Sequence, residues 1–236
     1  MMFPYAEFLI EFDRKHAAML HANSPENTRA AVIVETRPDY FLPKVIRNTM
    51  FFLGPAWNLY VFCGELSYPY ALKFLQGWGA QVVKLAGVHQ FSIADYNKLL
   101  ISRQFWDFFR EERLLVFQLD SVMTGRNIED FRDFDYVGAP CGRFDEQYVA
   151  NGGLSLRSRR MMLECVSNFR PVDGVAEDIF FSEAVRKAGG AMPDMNTATR
   201  FAVESIYTAH PVGVHGTDKY FHSVEIAQKI TRDTRF

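Results

Sequence analysis

Short apolar segments alternate with amphipathic segments along the first half of the chain, and this alternation restricts the fold more than any other feature. The apolar segments have strand length and are rich in β-branched residues, whereas the intervening segments carry apolar residues at helical spacing. The predicted strands cover residues 30–35, 58–62, 81–85 and 114–119, and the predicted helices cover residues 42–53, 69–78 and 93–110. Helices that join successive strands build a parallel sheet through right-handed crossovers. We therefore predict an α/β fold with a mostly parallel central sheet flanked by helices.

The second half of the chain has a mixed pattern, which we expect to extend the same sheet. Residues 136–139 and 153–156 have the pattern of short strands, and residues 159–168 and 178–188 have that of helices. A length of 236 residues favours one large domain, since domains average about 150 residues. We expect this domain at residues 30–220, with an N-terminal helical extension at residues 1–29 and a C-terminal helix or tail at residues 221–236.

Charge and cysteine content exclude several classes of partner and site. The chain has 26 Lys and Arg against 28 Asp and Glu, so it lacks the basic surface that binding to a nucleic-acid backbone requires. Cys63, Cys141 and Cys165 are odd in number and have no CxxC spacing, which argues against a disulfide framework and a thiolate zinc site. This use of cysteine fits a reducing compartment, and we expect a cytoplasmic protein.

The N-terminal segment has the pattern of neither a signal peptide nor a membrane span. Its short apolar stretch contains Glu7 and Glu11 and follows no basic residue, unlike a signal peptide. No apolar run in the chain reaches the length of about 18 residues that a spanning helix needs. Phe8, Leu9 and Phe12 share one face of a first helix, which either packs into the core or contacts a membrane peripherally.

Polar residues directly follow two of the predicted strands. Glu35, Thr36 and Arg37 stand at the end of the first strand, and Asp120 and Ser121 follow the fourth. Ligands of parallel sheets bind at the carboxyl ends of the strands, which makes these five residues the ones to consider for a binding site. Asp120 either caps the next turn or binds a cation, because a carboxylate at the end of a buried strand needs a partner.

Two adjacent glycines and a late histidine form a second set of candidates. Gly152 and Gly153 follow Asn151, and this segment is either an ordinary turn or a place where the backbone approaches a ligand closely. His215 lies in a glycine-flanked segment near the end of the predicted domain. It is either a structural residue or a ligand-binding one.

Glu177 and Asp178 directly precede an apolar segment with helical spacing. They either cap that helix and favour its dipole or supply carboxylates for a reaction. The chain contains neither a P-loop nor a GxGxxG motif. Phosphate binding would therefore require a metal ion or arginine side chains.

Seven sequence blocks together resemble the DUF5672 family, a group of uncharacterised domains that is itself similar to glycosyltransferases of the GT-A fold. The blocks are VIVETR (32–37), YNKLLISRQFW (96–106), VFQLDS (116–121), FDYVGAP (134–140), NGGLSLRSR (151–159), EDIFFS (177–182) and GVH (213–215). The resemblance implies a single GT-A-like, Rossmann-like domain. It also implies the transfer of a sugar from a UDP- or GDP-linked donor to the hydroxyl of a glycan or another acceptor.

Under this resemblance most of the candidate residues contact the donor. The base and ribose are expected near Thr36 and Arg37, and Asn97 and Arg103 are expected to meet ribose or phosphate, while the glycine loop faces the donor sugar. The implied donor-binding set is Thr36, Arg37, Asn97, Arg103, Gln118, Asp120, Ser121, Asn151, Gly152 and Gly153.

The resemblance also implies a divalent metal ion at a DxD motif after the fourth strand. Gln118 replaces the first acidic residue of that motif, which leaves Asp120 as one metal ligand and His215 as the implied second. We expect Mn²⁺ in preference to Mg²⁺, because imidazole suits the softer ion better. Asp178 is similar in placement to the catalytic base of inverting members, with Glu177 as the alternative base.

Two other classes of function stay open on the sequence alone. The loss of an acidic residue at Gln118 is compatible with a non-catalytic module that binds a nucleotide sugar or a glycan. A nucleotidyltransferase would share the fold, but the sequence lacks the glycine-rich, lysine-bearing phosphate loop expected of one.

Overall fold

A six-stranded sheet forms the centre of the structure, a computed structural model that describes residues 4–141, 149–216, 224–232 and 234. Three further strands form a second, smaller sheet. In chain order the strands are β1 (Arg29–Glu35), β2 (Trp57–Cys63), β3 (Gln81–Lys84), β4 (Arg113–Phe117), β5 (Ser121–Met123), β6 (Tyr136–Cys141), β7 (Val149–Ser158), β8 (Ala202–Val203) and β9 (Gly213–His215). The central sheet has the order β3-β2-β1-β4-β7-β6, and the small sheet has the order β5-β9-β8.

Helices cover both faces of the central sheet. They are α1 (Ala6–Lys15), α2 (Leu42–Leu53), α3 (Ser67–Phe74), α4 (Ile93–Leu100), α5 (Arg103–Asp107), α6 (Arg159–Asn168), α7 (Glu177–Lys187), α8 (Met195–Phe201) and α9 (Val224–Arg232), with a 3₁₀ helix at Asn127–Phe131. None of the described helices combines the length and the apolar content that crossing a membrane requires.

All strands of the central sheet except β7 run in the same direction. β1 pairs in parallel with β2 and β4, and β2 pairs in parallel with β3, whereas β7 is antiparallel to β4 and β6. The prediction of a mostly parallel α/β sheet flanked by helices is confirmed. The reversal of β7 follows from chain length, because only residues 142–148 separate β7 from β6 and a parallel crossover needs a dozen or more residues.

Burial of both sheet faces explains why β1, β2 and β4 are apolar almost throughout. One face packs against α1 and α2, and the other packs against the helices from α4 to α7. Leu9 and Phe12 of α1 are fully buried in the first of these layers. For these two residues the core-packing alternative is correct, and they are not available to a membrane.

The predicted helix over residues 93–110 is wrong in its extent, because two helices form there. α4 ends at Leu100, and the hydroxyl of Ser102 accepts a hydrogen bond from the backbone N–H of Phe105 and so caps α5. A serine in this position supplies the acceptor that the first turn of a helix lacks. The turn buries Trp106, whose indole N–H donates to the carbonyl oxygen of Leu100 at 2.6 Å.

Asn48 of α2 holds the small sheet in place. Its side-chain amide donates to the carbonyl oxygen of Met123 at 3.1 Å and accepts from the backbone N–H of Met123 at 2.7 Å. Met123 ends β5, which pairs with the strand that carries His215. The fully buried Asn48 therefore fixes the strand pair that contains Ser121 and His215.

Replacing Asn48 with alanine tests this link. Asn48→Ala leaves two buried backbone groups of Met123 without partners, and we expect the free energy of unfolding to fall by about 2–4 kcal/mol. Urea denaturation measures the change. Asn196→Ala on the exposed side of α8 is the matched control and should change stability by less than about 0.5 kcal/mol. A small effect at Asn48 would show that the small sheet is held by its apolar contacts instead.

Candidate active site

A cleft opens where the carboxyl ends of β1 and β4 lie side by side. Its volume is about 210 Å³, and we call it the strand-end cleft. It is lined by Val34, Glu35, Thr36, Arg37, Gln90, Phe91, Ser92, Ile93, Tyr96, Gln118 and Leu119. The sheet positions the site in this way because side chains after adjacent parallel strands meet at one edge.

Thr36 and Arg37 lie in the strand-end cleft, as expected for residues that follow β1. The guanidinium of Arg37 forms a bidentate ion pair with the buried carboxylate of Glu35, at 2.9 and 2.8 Å. The hydroxyl of Thr36 accepts a hydrogen bond from the backbone N–H of Phe91 at 2.9 Å. These contacts fix the cleft wall, and they leave the charge of Arg37 largely neutralised by Glu35.

His215 adjoins this cleft through Gln118. It belongs to a polar group that we call the histidine cluster. The cluster consists of His215, Asp120, Gln118, Glu204 and Asn151. The Nε2 atom of His215 lies 3.2 Å from an oxygen of Asp120 and 3.1 Å from the side-chain oxygen of Gln118. On the other side of the ring, Nδ1 lies 3.8 Å from Glu204, whose carboxylate accepts a hydrogen bond from Asn151 at 2.9 Å. The structure thus brings together residues from four separate segments.

Gly153 allows this cluster to form, because the imidazole of His215 packs directly on it. A Cβ atom at Gly153 would lie 2.0 Å from the Nε2 atom of His215. The carbonyl oxygen of Gly153 also accepts hydrogen bonds from the backbone N–H of Gln118 and from the hydroxyl of Ser121, both at 2.8 Å. Ser121 therefore ties the end of β4 to β7, and the close approach at Gly153 is made by His215.

The contacts of His215 with Asp120 and Gln118 have the length of hydrogen bonds, which is also about the separation of two neighbouring ligands of a divalent cation. Two ligands at right angles around an octahedral Mg²⁺, each 2.0–2.1 Å from the metal, lie about 3 Å apart. The separations of His215 from Asp120 and from Gln118 are 3.2 and 3.1 Å. Among the described residues, however, no group of three or more His, Cys, Asp or Glu side chains is arranged to hold a metal ion. The protein itself supplies one carboxylate, one imidazole and one amide oxygen.

A buried ion pair between Arg157 and Glu177 lies next to the histidine cluster. Two nitrogens of Arg157 donate to the two carboxylate oxygens of Glu177 at 2.7 and 2.9 Å, and both side chains are almost completely buried. Burial raises the pKa of the Glu177 carboxyl above its usual value, and the guanidinium of Arg157 opposes that increase. Gly152 makes room for the pair, since a Cβ atom there would lie 1.8 Å from Glu177.

Asp178 is the half-buried neighbour of Glu177 in the first turn of α7. One of its oxygens accepts the backbone N–H of Ile179 at 2.8 Å, and it forms no ion pair with the part of the chain that the structure describes. The helix begins at Glu177, one residue earlier than the predicted segment, and Ala176 is its N-cap without a side-chain hydrogen bond. Neither acidic residue is the N-cap. Because both oxygens of Glu177 bind Arg157, we keep Asp178 as the candidate base.

Asn97 and Arg103 do not line the strand-end cleft. The side-chain oxygen of Asn97 accepts the backbone N–H of Glu177 at 3.2 Å, which supplies the acceptor that Ala176 lacks. Asn97 also lines a neighbouring groove between α4 and residues 171–175. The guanidinium of Arg103 binds Asp107 and Ser167 on an exposed surface. The structure therefore separates Arg103 from the other candidate residues.

Sequence reasoning missed two residues of this site, Tyr96 and Glu204. Tyr96 belongs to the block YNKLLISRQFW, but its apolar ring and helical spacing indicate only a core contact. Glu204 directly follows a buried strand, the same signal that identified Asp120. That strand, β8, contains two residues, which is too short for alternation to reveal it.

Comparison with known proteins places the chain in a family. A model of the DUF5672 family matches residues 80–215, which is more than half of the 236 residues. The chain belongs to the DUF5672 family. The description of that family is "Protein of unknown function", so membership by itself assigns no activity. No curated protein matches the chain.

Solved structures that resemble this DUF5672 chain include three glycosyltransferases. The apo-form glycosyltransferase GlyE of Streptococcus pneumoniae TIGR4 has 14% identity and a TM-score of 0.51, over 79% of this chain and 54% of GlyE. The mannosyltransferase PcManGT of Pyrobaculum calidifontis, in complex with GDP-Man and Mn²⁺, has 13% identity and a TM-score of 0.51, over 81% of this chain and 63% of PcManGT. Mouse xyloside xylosyltransferase 1, in its apo form, has 10% identity and a TM-score of 0.51, over 81% of this chain and 98% of that protein.

These similarities show that the DUF5672 chain has the GT-A fold. The chain spans little more than half of GlyE and less than two thirds of PcManGT. The predicted fold class is therefore confirmed.

The buried ion pair gives a stability prediction. Glu177→Gln removes the charge that neutralises Arg157, and we expect the free energy of unfolding to fall by about 3 kcal/mol or more. Glu183→Gln in the same helix removes an exposed partner of Lys187 and should cost at most about 0.5 kcal/mol. Chemical denaturation of both variants makes the comparison. If both variants lost an equally small free energy of unfolding, the result would contradict a fully desolvated ion pair.

Proposed function

We propose that this chain is a glycosyltransferase that moves a sugar from a UDP- or GDP-linked donor to an acceptor hydroxyl with the aid of a divalent metal ion. The observation that carries the proposal is the convergence of three features at one sheet edge. Gln118 both lines the strand-end cleft and faces His215, and the adjacent glycines Gly152 and Gly153 contact Glu177 and His215 respectively. The cleft, the histidine cluster and the N-terminus of α7 are thus neighbours.

The nucleoside of the donor is proposed to occupy the strand-end cleft beside Thr36 and Arg37. Phe91 and Tyr96 line that cleft, and aromatic rings are suitable surfaces on which a base stacks. A nucleoside in this position directs its diphosphate towards Gln118 and the histidine cluster. The GDP-Man complex of PcManGT, which shares the fold, supports a sugar nucleotide as the class of ligand.

The metal ion is proposed to bind Asp120 and His215, with Gln118 as a further oxygen ligand. When bound, it would offset the negative charge that develops on the diphosphate leaving group. The presence of Mn²⁺ in the PcManGT complex supports this expectation, as does the spacing of the donor atoms around His215. Asn151 and Glu204 would orient the imidazole and its surroundings.

Asp178 is proposed to act as the base. One oxygen accepts the N–H of Ile179, and the other is then the one to take the proton of the acceptor hydroxyl. As the acceptor hydroxyl loses its proton to Asp178, its oxygen attacks the anomeric carbon of the sugar. The bond from that carbon to the diphosphate oxygen breaks. Asp178 lies in the first turn of α7, and the neighbouring Glu177 brings this turn close to the segment that carries Gly152 and Gly153. This assignment applies to transfer with inversion.

We also propose a cytoplasmic location for the enzyme. Cys63 and Cys165 are free and buried, which is compatible with a reducing compartment.

Product analysis with a panel of UDP- and GDP-linked sugars, hydroxyl acceptors and Mn²⁺ tests the function. We expect release of the nucleoside diphosphate, and we expect Asp178→Asn to slow it by about 100-fold or more because an amide cannot take the proton. Asp133→Asn, at a highly exposed position, is the matched control and should keep the wild-type rate. Release of pyrophosphate would indicate nucleotidyl transfer, and donor binding without any product would indicate a binding module. A wild-type rate for Asp178→Asn would remove this residue from the site.

Titration with Mn²⁺ tests the metal assignment separately. Since a single carboxylate faces the Nε2 atom of His215, we expect weak binding to the protein alone and much tighter binding once UDP or GDP supplies phosphate oxygens. Asp120→Asn should weaken the ternary complex, whereas Gln118→Glu, which keeps the side-chain length and adds a charge, should strengthen binding to the protein alone. Electron paramagnetic resonance of free Mn²⁺ measures both. Tight binding to the wild-type protein without nucleotide would contradict this ligand set.

A further inference from the structure

The hydroxyl of Tyr96 is a buried polar group of the strand-end cleft. The tyrosine ring lines the cleft and is partly exposed there, whereas its hydroxyl oxygen is inaccessible to solvent and forms no hydrogen bond with any described residue. A buried hydroxyl without a partner is destabilising, and such groups are uncommon in folded proteins. A bound ligand would supply the hydrogen-bond partner that the hydroxyl of Tyr96 lacks.

The surroundings of this hydroxyl leave few protein groups to serve it. Gln118 is close, but its side-chain oxygen faces the Nε2 atom of His215. Its amide N–H groups can only donate to the hydroxyl oxygen, which leaves the hydroxyl proton without an acceptor. The carboxylates of Glu177 and Asp120 are near enough to act on Tyr96 electrostatically, yet both oxygens of Glu177 already bind Arg157. Tyr96 is therefore a neighbour both of the cleft proposed for the nucleoside and of acidic side chains of the site.

We propose that the Tyr96 hydroxyl donates a hydrogen bond to a phosphate oxygen of the donor diphosphate. The inference rests on the proposed function, because it requires a nucleoside diphosphate in the strand-end cleft. The diphosphate of such a ligand joins the nucleoside to the sugar, and Tyr96 both lines the cleft and lies within electrostatic range of Asp120. A hydrogen bond to a charged oxygen is also stronger than one to a neutral group.

Tyr96 suits this role because it remains a donor. Burial, together with the charge of Glu177, raises the pKa of the hydroxyl well above its usual value, so the proton is present at neutral pH. Since the carboxylates of Glu177 and Asp120 are both near Tyr96, a diphosphate there needs donors and cations to offset repulsion. A neutral O–H supplies a donor without adding another charge to be buried.

Tyr96→Phe tests the proposal, because it removes the hydroxyl and keeps the ring. In the presence of Mn²⁺ we expect the dissociation constant of UDP, or of GDP if that is the nucleotide bound, to rise at least about tenfold. The dissociation constant of the matching nucleoside, uridine or guanosine, should stay within about twofold. The melting temperature should stay the same or rise, since no hydrogen bond of the free protein is lost. Isothermal titration calorimetry and thermal denaturation provide these measurements.

Tyr60→Phe is the matched control. The hydroxyl of Tyr60 donates to the buried carboxylate of Glu111 at 2.9 Å. Glu111 lies just before the amino end of β4, whereas the cleft lies at the carboxyl ends of the strands. This variant should lower the melting temperature and leave the affinity for the nucleoside diphosphate unchanged. Tyr96→Phe is thus expected to weaken binding without loss of stability, and Tyr60→Phe to lower stability without loss of binding, a contrast that a general loss of folding would not produce.

Several results would overturn the assignment of Tyr96. Unchanged affinity of Tyr96→Phe for the nucleoside diphosphate, while the wild-type protein binds it, would refute the hydrogen bond and leave the proposed function intact. An equal loss for nucleoside and nucleoside diphosphate would place the contact on the base or ribose. A lower melting temperature would show that the hydroxyl is bonded within the free protein. If the wild-type protein binds neither UDP nor GDP, the proposed function fails and this assignment fails with it.

Discussion

The ion pair between Arg157 and Glu177 is the interaction on which the arrangement of the site depends. Neither charge is stable in the interior alone, since desolvation costs several kcal/mol per ion unless a partner with good geometry repays it. Tyr136 packs against the guanidinium at 4.8 Å from its ring centre, and Phe181 and Trp106 complete an aromatic enclosure. Arg157 lies on β7 and Glu177 begins α7. The pair therefore fixes the helix start on the sheet and, with it, the position of Asp178.

The two adjacent glycines separate this structural pair from the histidine cluster. Gly152 accommodates Glu177 on one side of β7, and Gly153 accommodates His215 on the other, with distances that leave no space for a Cβ atom at either position. Successive residues of a strand point to opposite faces, which explains why two neighbouring glycines serve two different contacts. The close approach inferred from the sequence is real, but side chains of the protein itself make it. A contact of these glycines with a donor sugar would come in addition to their contacts with Glu177 and His215.

The sequence predicts the layered fold well and the site only in part, and the reason lies in the range of the interactions. Apolar strands and the helix at Leu42–Leu53 depend on local periodicity, so β1, β2 and β4 are found within one or two residues. The position after a strand directs attention to Thr36 and Arg37, which line the strand-end cleft, and to Asp120, which faces His215. The position of Arg103 is not predicted from the sequence. Its side chain lies away from the cleft because Ser102 starts a new helix after α4.

Long-range partners account for the rest of the site. Glu204 reaches His215 only because β8 and β9 pair in the small sheet, and the sequence contains no periodic signal for a strand of two residues. Tyr96 resembles a core aromatic in the sequence, since a helical pattern does not reveal that its hydroxyl lacks a partner. Burial of polar atoms is a property of the assembled fold, and it is the property that distinguishes these two residues.

The charges around the cleft explain why a diphosphate would need both a metal ion and neutral donors. Arg37 is already paired with Glu35, and Arg157 is already paired with Glu177, so moving either guanidinium away from its partner to reach a phosphate would leave a buried carboxylate uncompensated. That exchange would offset much of the gain. Divalent metal ions and O–H donors can approach the phosphate without breaking these pairs. For the proposed donor diphosphate, much of the counter-charge would therefore come from a bound metal ion, since each arginine keeps its own carboxylate partner.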